Sequence, residues 1–541
     1  MSFRKAPQTM SQPAVVPLRT VGEWSVRSGK EYENPFTDVT LDAEFTAPDG
    51  ETFAMPGFYD GGQTWKVRFS PGTPGAWTYR IHCRPGDPDL VETGSFEVTA
   101  RETDGFLKAT PGDAWGFRYE SGKPAFLLGD TVYNLIAETY LGNDIRPYLH
   151  RRVEQGFNLL RVSVSVNAFC PPNATAHWSD RTIWAWGGSP VSPQLDRFNV
   201  EYFRAVDRTV ELAEEAGIGL EMIMQMMGWA TPFNNRNLFT AEWEELWVRY
   251  LVARYDAYNC VYFWTLMNEY EFYPNGELLY GIAADRWAMR LSRVIKDMAP
   301  HGHVVSVHTG PEWPPLAHRF RADPEAVDAI QYQTWGTIGE DDGWLAAGIE
   351  DKIAEALDGW QGSAVFSEYG YETDPELKHI MQGHQYCDVD HTRRGGWRGA
   401  FRSLGVVHGF HQTWWGFGDY ARDQEGVTAL QHLRHFFTEL VAFEHLRPAP
   451  ELVHDGPTDT GHRPLVLADA DRREVACYLP VGESVTLDVP HADVVEALWY
   501  DPRSGKSATA ETGEADGRTL ALSPGGGQPR PYDWVLVVRT R

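Results

Sequence analysis

The stretch "FWTLMNEYEF", Phe263 to Phe272, begins as an apolar run and ends in polar residues that include Asn268, Glu269 and Glu271. A buried strand that stops at carboxylates either meets water there or delivers an acid into a pocket. Which of the two applies depends on what other segments of the chain bring to the same place.

Seven further segments share the short, mostly apolar character of this one, as is typical of strands covered on both faces. They are "AFLLGDT", "LLRVSVSV", "IGLEMIMQMM", "HVVSVHTG", "AIQYQTW", "AVFSEYG" and "FHQTWWGFG". Amphipathic patterns such as "EYFRAVDRTVELAEEAG" and "AEWEELWVRYLVARYDAY" separate most of them and predict helices. Eight strands alternating with helices over roughly 310 residues predict a (β/α)₈ barrel at residues 105–445. A doubly wound open sheet is the alternative, but no glycine-rich dinucleotide turn follows the first strand.

Both ends of the chain show a different pattern, in which apolar and polar residues alternate with a period of two. Near the N-terminus, "VTLDAEF", "TWKVRF" and "WTYRI" alternate in this way and are separated by Pro/Gly turns. They predict an antiparallel β-sandwich at residues 1–104. The alternation returns after residue 445 and predicts a second β-sandwich at residues 446–541. The expected fold class is therefore α/β, a TIM barrel between two β-sandwich domains.

Composition restricts the partners. The 541 residues carry a formal net charge of −27, and no Lys/Arg cluster stands against it. Because an acidic surface repels phosphates and anionic membranes, we predict a neutral substrate and neither a nucleic-acid nor a membrane partner. The sequence leaves a homo-oligomer open.

Cysteine usage and the first residues of the sequence give two further expectations. The five cysteines are widely spread without CxxC spacing, and no HExxH motif occurs, so we predict reduced thiols and no metal site. The first residues lack the apolar core of a secretory signal, which favours a cytoplasmic protein, or a secreted one if a leader is missing.

Polar residues gather at the predicted C-terminal ends of the barrel strands, where barrel active sites lie. They are Asp130, Arg161, Gln225, Asn268, Glu269, His308, Tyr332 or Gln333, Glu368, and Trp414 or Trp415. Two of them are glutamates on nearly opposite strands. Glycosidic cleavage requires such a pair, because one carboxyl protonates the leaving oxygen while the other, ionised, attacks or stabilises the sugar. The charge on one carboxylate raises the pKa of its neighbour, which separates the two roles.

Several motifs resemble those of known families. "LMNEYEFY" and "FSEYGYE" resemble the acid/base and nucleophile motifs of glycoside hydrolase clan A, and "PAFLLGDTVYNL" is similar to the opening of apiosidase-like barrels. "GFYDGGQTWKVRFSPGTPGAWTY" resembles the sandwich that precedes such barrels in bacterial glycoside hydrolases. "LWYDPRSGKSA" and "DWVLVV" resemble the collagen-binding-like β-domain that follows them.

The resemblance implies a retaining glycoside hydrolase that needs no cofactor, with Glu269 as general acid/base and Glu368 as nucleophile. It also implies supporting roles for residues at the other strand ends. Asn268 would bind the hydroxyl next to the reacting carbon, Arg161, His308 and Tyr332 would orient Glu368, Trp414 or Trp415 would floor the pocket, and Asp130 would hold a further hydroxyl. Gln333 is the alternative to Tyr332 on the sixth strand.

Some alternatives stay open at this point. Glu271 and Glu372 lie close to the favoured glutamates and could replace them. Strict strand alternation places Asn268 and Glu269 on opposite faces, so both reach the pocket only if the strand bulges or ends there. We expect exo-action on short oligosaccharides, partly because the long, Trp-containing connection after the second strand could wall off a pocket. An endo-acting glycanase on a polysaccharide, an inverting hydrolase and a non-catalytic carbohydrate-binding protein with a vestigial barrel are the alternatives.

Overall fold

The computed structural model describes residues 12–111, 115–165, 183–226, 228, 230–310, 316–333, 354–373, 387–403, 405–410, 424–458, 462–482, 484–524 and 533–541. Its first strands form two facing sheets with the orders β1-β8-β7-β3-β4 and β2-β6-β5. The strands are β1 (Val15–Pro17), β2 (Gly22–Arg27), β3 (Thr40–Thr46), β4 (Thr52–Pro56), β5 (Phe58–Tyr59), β6 (Thr64–Phe69), β7 (Gly75–Arg84) and β8 (Glu92–Thr99). Inward-facing aromatic residues such as Trp24, Phe45 and Phe69 fill the space between the sheets, as the period-two pattern predicts.

A closed barrel of eight parallel strands follows, in the order β11-β12-β15-β16-β17-β18-β19-β21, with β21 pairing back to β11. The predicted fold class is thereby confirmed. The strands of this region are β9 (Leu107–Ala109), β10 (Phe117–Tyr119), β11 (Leu127–Thr131), β12 (Leu159–Ser163), β13 (Trp186–Ser189), β14 (Ser192–Phe198), β15 (Gly219–Ile223), β16 (Val261–Thr265), β17 (Val304–His308), β18 (Ala329–Gln333), β19 (Ser363–Glu368), β20 (Tyr371–Glu372) and β21 (Gly405–Phe410).

Helices cover the outside of the barrel, as the amphipathic patterns predict. They are α1 (Leu135–Tyr140), α2 (Arg146–Glu154), α3 (Val200–Ala216), α4 (Ala241–Tyr255), α5 (Ile282–Met298), α6 (Leu316–Arg319), α7 (Val389–Ala400) and α8 (Glu425–His435). Helix α3 shows how the sequence sets the bounds. The Asn199 side chain accepts from the Tyr202 N–H at its start, and Gly217 ends it in the left-handed region at φ 71°. Within the described ranges, none of the helices combines the length and apolarity needed to cross a bilayer.

The eighth barrel strand differs from the prediction. It is "GVVHGF", Gly405–Phe410, rather than "FHQTWWGFG", most of which lies outside the described residues. The segment contains two glycines, a residue type that is depleted in strands. Gly409 is required by packing, because a Cβ there would stand 2.0 Å from the ring of Tyr371. Gly409 is therefore a strand residue whose missing side chain leaves room for the neighbouring ring.

The connection after the second strand also departs from expectation in its described part. Trp184 and Trp186 are 8% and 1% exposed, and Trp186 stacks on Trp247 of α4 with ring centroids 4.4 Å apart. These two tryptophans belong to the core, so they are not pocket walls. The third tryptophan of this connection, Trp178, lies outside the described residues.

The barrel interior changes character from bottom to top. Its lower end is an apolar plug in which Leu107 and Phe117 of the β9–β10 hairpin pack against the first residues of the barrel strands. Above the plug lies a layer of buried polar side chains joined by hydrogen bonds, namely Arg161, Glu221, Thr265, Ser306 and Gln331. The strand ends above this layer carry the predicted site.

The C-terminal domain is a sandwich of a six-stranded sheet, β22-β24-β25-β31-β27-β28, and a four-stranded sheet, β23-β26-β30-β29. Its strands are β22 (Arg447–Pro448), β23 (Val453–Asp455), β24 (Leu465–Ala468), β25 (Glu474–Leu479), β26 (Val485–Pro490), β27 (Val494–Asp501), β28 (Lys506–Thr509), β29 (Thr512–Ala515), β30 (Arg518–Ala521) and β31 (Trp534–Thr540). The inner strands β24 and β25 of the six-stranded sheet are buried on both faces. Val466 and Cys477 face the sandwich core, while Leu467 and Tyr478 belong to the hydrophobic core of the barrel.

This docking of the C-terminal domain on the barrel is anchored by polar contacts. Arg393 of α7 donates from Nη2 to Asp533 at 2.9 Å, and the Tyr478 hydroxyl donates to Asp533 at 3.3 Å. Trp397 of α7 stacks on Tyr478 with an interplanar angle of 9°. The domain is therefore held against the barrel by a buried ion pair and an aromatic stack rather than by a linker alone.

The N-terminal domain is joined to the barrel by a buried ion-pair network. Asp207 of α3 lies between Arg68 of β6 and Arg254 of α4 and accepts hydrogen bonds from both. Burial alone would raise the pKa of Asp207, but the charges of Arg254 and Arg68 lower it from 3.8 to about 2. A cavity of about 370 Å³ lies beside this interface and is lined by residues such as Phe36, Tyr59, Trp243, Leu246 and Arg249 rather than by the strand-end residues.

We expect Asp207→Asn to lower the free energy of unfolding by roughly 3–5 kcal/mol, because it leaves two buried guanidinium groups opposite a neutral amide. Since the folded-state pKa of Asp207 is depressed, the stabilisation is present above pH 3.8 and is lost as the pH falls toward 2. Urea unfolding at pH 7 measures the loss. The matched control is Glu201→Gln, which removes an exposed ion pair with Arg204 on the same helix and should cost under about 1 kcal/mol. Equal effects of the two substitutions would contradict the prediction.

Candidate active site

The polypeptide at the end of the fourth barrel strand explains how two neighbouring residues reach one pocket. Strand β16 ends at Thr265, and the Asn268 N–H still donates to the Gln225 carbonyl at 3.0 Å. Glu269 then adopts the left-handed conformation, with φ 52° and ψ 65°. This conformation is uncommon for a residue other than glycine and recurs at functional sites. With this conformation the chain leaves the alternating geometry of a strand, so the side chains of Asn268 and Glu269 need not point to opposite faces.

Glu269 lies in surroundings that favour its protonated form. Burial, and then the charge of Glu368, raises the pKa of Glu269 from 4.5 to about 8. The Gln333 amide donates to Oε1 of Glu269 at 2.6 Å, which fixes the carboxyl group. A carboxyl that remains protonated at neutral pH can act as a general acid.

Glu368, at the end of β19, is 7% exposed and is surrounded by donors. Its Oε2 lies 2.8 Å from Nη1 of Arg161, accepts from the Tyr133 hydroxyl at 3.2 Å, and lies 3.7 Å from Nε2 of His308. The Tyr371 hydroxyl lies 3.3 Å from that of Tyr133. Burial raises the pKa of both tyrosines well above 10, so both remain hydroxyl donors. An arginine and a hydroxyl therefore both direct donors at one oxygen of Glu368.

His308 lies between the two glutamates and is neutral. The backbone N–H of Glu269 donates to its Nδ1 at 3.3 Å, so Nε2 carries the proton and is turned toward Glu368. Burial, and then the charge of Arg161, lowers the pKa of His308 well below 6.5. A neutral imidazole at this place adds no second positive charge beside Glu368.

Arg161, fully buried on β12, uses all three guanidinium nitrogens. Nε donates to Glu221 at 3.2 Å, Nη1 donates to Glu368 and Tyr133, both at 2.8 Å, and Nη2 donates to the Asn268 side-chain oxygen. This leaves the Asn268 side-chain nitrogen directed away from Arg161, and it has no hydrogen-bond partner in the described part of the chain. It is a donor suited to a substrate hydroxyl.

The structure brings six of the predicted residues together: Arg161, Asn268, Glu269, His308, Gln333 and Glu368. It does not bring Tyr332 into the site. Tyr332 alternates with Gln333 on β18 and therefore points to the helices, where its ring stacks on Phe366 and its hydroxyl lies 3.0 Å from that of Ser403. Tyr133 and Tyr371 supply the hydroxyl groups expected from Tyr332.

Asp130 also faces away from the barrel axis. Its Oδ2 accepts from the Tyr148 hydroxyl at 2.8 Å and from Nε of Arg152 at 2.7 Å, both on α2. In the strand register Asp130 lies beside Leu160 and His408, so its side chain points outward to the helices with theirs. The predicted grip on a substrate hydroxyl is thus replaced by an ion pair between strand and helix. Trp414 and Trp415 lie outside the described residues.

The two alternative glutamates have structural partners. Glu271 accepts from Arg319 at 2.7 Å and from the Gly310 N–H at 2.8 Å. Glu372 accepts from the Gly426 N–H at 3.1 Å, and burial raises its pKa to about 7. Glu271 is bound to Arg319 of α6, and Glu372, on β20, is bound to the start of α8, so neither replaces Glu269 or Glu368.

Sequence reasoning missed Tyr133, Tyr371 and Glu221. Tyr133 lies just after the end of β11, and Tyr371 lies in the two-residue strand β20 beyond the end of β19, so the alternation of the barrel strands does not tell which way either side chain points. Glu221 did leave a signal, because it is the one charged residue in "IGLEMIMQMM". Across the described ranges, no group of three or more His, Cys, Asp or Glu is arranged to hold a metal ion.

A parallel (β/α)₈ barrel with an Asn-Glu pair after the fourth strand and a glutamate ending the seventh has the features of a glycoside hydrolase. Residues 114–444 match the family described as "Apiosidase-like, catalytic domain", and the chain belongs to this family. Residues 20–84 match a domain of unknown function, DUF5060, and residues 448–539 match the "Putative collagen-binding domain of a collagenase". These matches confirm the resemblance stated from the sequence.

Solved structures give a consistent result for the fold. A protein described as a putative glycoside hydrolase from Bacteroides vulgatus has a TM-score of 0.70 and 17% identity, covering 98% of this chain and 100% of its own. A glycoside hydrolase family 5 protein from the same organism has a TM-score of 0.58 and 16% identity, covering 81% of this chain and 93% of its own. At these identities the likeness concerns the fold. No curated protein matches the chain.

Proposed function

We propose that the protein is a retaining glycoside hydrolase that cleaves the glycosidic bond of a neutral substrate by double displacement. The observation that carries the proposal is the contrast between the two glutamates. Glu269 has a pKa raised to about 8, whereas Glu368 lies 2.8 Å from the Arg161 guanidinium. One carboxyl is thus suited to donate a proton and the other to act as an anion.

In the first step, Glu269 gives its proton to the leaving oxygen while a Glu368 oxygen attacks the anomeric carbon. The glycosidic bond breaks and a glycosyl ester of Glu368 forms. In the second step, Glu269, now a carboxylate, takes a proton from water, whose oxygen attacks the same carbon and releases Glu368. The Asn268 side-chain nitrogen is placed to bind a sugar hydroxyl in both steps, because Arg161 already satisfies the oxygen of that amide.

Arg161, Tyr133 and His308 contribute by orienting Glu368. Arg161 and Tyr133 donate to one carboxylate oxygen, Oε2, and Nε2 of His308 lies 3.7 Å from the same oxygen. Such fixed donors act on the carboxylate before the reaction begins, so no reorganisation is needed when its charge is consumed and later restored. The formal charge of −27 supports a neutral rather than an anionic substrate.

Product stereochemistry tests the proposal. A panel of aryl pyranosides and furanosides, followed by oligosaccharides, identifies a hydrolysed substrate, and ¹H NMR of the earliest product reads its anomer. We expect the configuration of the substrate to be retained. The opposite anomer would indicate an inverting hydrolase, which needs carboxyls roughly 6.5–9.5 Å apart. Saturable binding of the panel sugars without turnover would indicate a carbohydrate-binding protein.

Exo-action on short oligosaccharides remains part of the proposal, with endo-action on a polysaccharide as its alternative. The time course of products distinguishes them. An exo-acting enzyme releases one small sugar from the first turnover, whereas an endo-acting enzyme first produces a ladder of intermediate lengths.

A further inference from the structure

Glu221 is a buried acid for which the mechanism above has no use. It lies on β15 opposite Arg161 of β12 in the strand register, and it is 0% exposed. It belongs to the polar layer beneath the catalytic residues. A carboxyl in the dry interior of a barrel is costly unless it is paired, so its presence calls for a physical reason.

The contacts of Glu221 connect it to the reacting groups through one residue. Its Oε1 accepts from Nε of Arg161 at 3.2 Å and from the Thr265 hydroxyl at 3.0 Å. The Thr265 oxygen in turn accepts from the Gln331 amide at 2.9 Å. Because the hydroxyl of Thr265 receives one hydrogen bond and gives another, Gln331 on the sixth strand and Arg161 on the second are joined through Glu221.

Arg161 therefore lies between two carboxylates. Its Nε is held by Glu221, while the two terminal nitrogens reach Glu368 and Asn268. Because Nε is held by Glu221, the planar guanidinium cannot rotate without breaking the contacts that its two terminal nitrogens make. In addition, the negative charge of Glu221 on one side of the guanidinium weakens the positive potential that the guanidinium exerts on Glu368 on the other side.

We propose that Glu221 is a positioning residue that fixes the Arg161 guanidinium against Glu368 and Asn268 and moderates the positive potential at Glu368. This inference rests on the proposed function, because it deepens the account of the same site. The third barrel strand thereby takes part in orienting the nucleophile, Glu368. Its residue Glu221 acts through Arg161 and does not contact the sugar.

The test is Glu221→Gln. The amide oxygen still accepts from Arg161 and Thr265, so the shape of the site is kept while one negative charge is lost. Removing that charge favours the ionised forms of both catalytic carboxyls. We expect both limbs of the pH profile of kcat/KM to move to lower pH by about 0.5–1 unit. We also expect kcat to fall roughly threefold to tenfold, because a less basic carboxylate is a weaker nucleophile.

Two further variants separate this role from a structural one. Ser306→Ala removes a neutral hydroxyl from the same layer, 2.8 Å from the Thr265 oxygen, and should lower the melting temperature without moving either limb. Glu221→Asp keeps the charge but shortens the side chain, so kcat should fall while both limbs stay in place. The Asp variant also provides the test if the Gln variant does not fold.

The outcomes distinguish this inference from the proposed function. Absence of hydrolysis by the wild-type protein defeats the proposed function itself. If the wild type is active and the pH profile of Glu221→Gln coincides with it, the inference about Glu221 is overturned and the proposed function stands. An Asp variant with unchanged kcat, or with limbs shifted as in the Gln variant, also overturns the inference.

Discussion

Glu368→Gln is expected to fold like the wild-type protein and to lose turnover by roughly 10³- to 10⁶-fold. The amide can still accept hydrogen bonds from Arg161 and Tyr133, which contact Glu368 at 2.8 and 3.2 Å. It cannot form the glycosyl ester, because an amide oxygen is a poor nucleophile. Steady-state kinetics on the substrate found by the panel, together with a melting curve, measure the effect.

The matched control for Glu368→Gln is Glu372→Gln, which changes a buried glutamate four positions later. Glu372 contacts Thr392 and the Gly426 N–H rather than the pocket, so we expect lower stability and retained turnover. A second variant, Glu368→Ala, tests the chemistry directly. With an activated aryl glycoside, azide should restore activity by attacking the anomeric carbon from the vacated side, giving a glycosyl azide of inverted configuration. Full activity of Glu368→Gln would remove Glu368 from the mechanism.

Glu269→Gln is expected to lose roughly 10²- to 10⁴-fold in turnover on substrates whose leaving group needs a proton. A dinitrophenyl glycoside needs no such proton, so its first step should be nearly unimpaired. Because Glu269 also serves as the base of the second step, the glycosyl intermediate should accumulate, and a burst of dinitrophenol should precede slow turnover. A uniform loss on all leaving groups would contradict the role of general acid.

The same variant tests the pH dependence. Glu269 acts as an acid only while protonated, so wild-type kcat/KM should fall as the pH rises through about 8. This basic limb should be absent in Glu269→Gln. Glu271→Gln, which alters a carboxyl bound to Arg319, is the control and should keep the limb. A limb that persists in Glu269→Gln would assign it to another group.

The alternation of strands accounts for much of what the sequence did and did not reveal. Polar residues in or after apolar runs pointed to Arg161, Glu269, His308 and Glu368, which the structure brings close together. Within such a run, neighbouring residues face opposite sides, so an error of one position exchanges a pocket residue for a helix-facing one. This is why Gln333 rather than Tyr332 reaches Glu269.

Asp130 reflects a related limit of the sequence. It occupies the helix-facing row of its strand, where a charge is expected only if a partner is available. That partner, Arg152, lies 22 positions later on α2, and nothing in the local pattern links the two. Tyr133 follows the end of β11 and Tyr371 lies in the short strand β20, so their direction is set by the course of the chain beyond the barrel strands and by packing, such as the fit of Tyr371 against Gly409.

The contact between α7 and Asp533 bears on how such chains can be recombined. Because one face of the six-stranded sheet shares one hydrophobic core with the barrel, cutting the chain near residue 446 would leave a bare aromatic patch. It would also remove Asp533, the buried partner of Arg393, and leave only the more exposed Asp390 to pair with it. A shortened gene is therefore expected to yield an insoluble product. A chimera between relatives would remain soluble only if Trp397, Tyr478 and their charged neighbours were exchanged as one block.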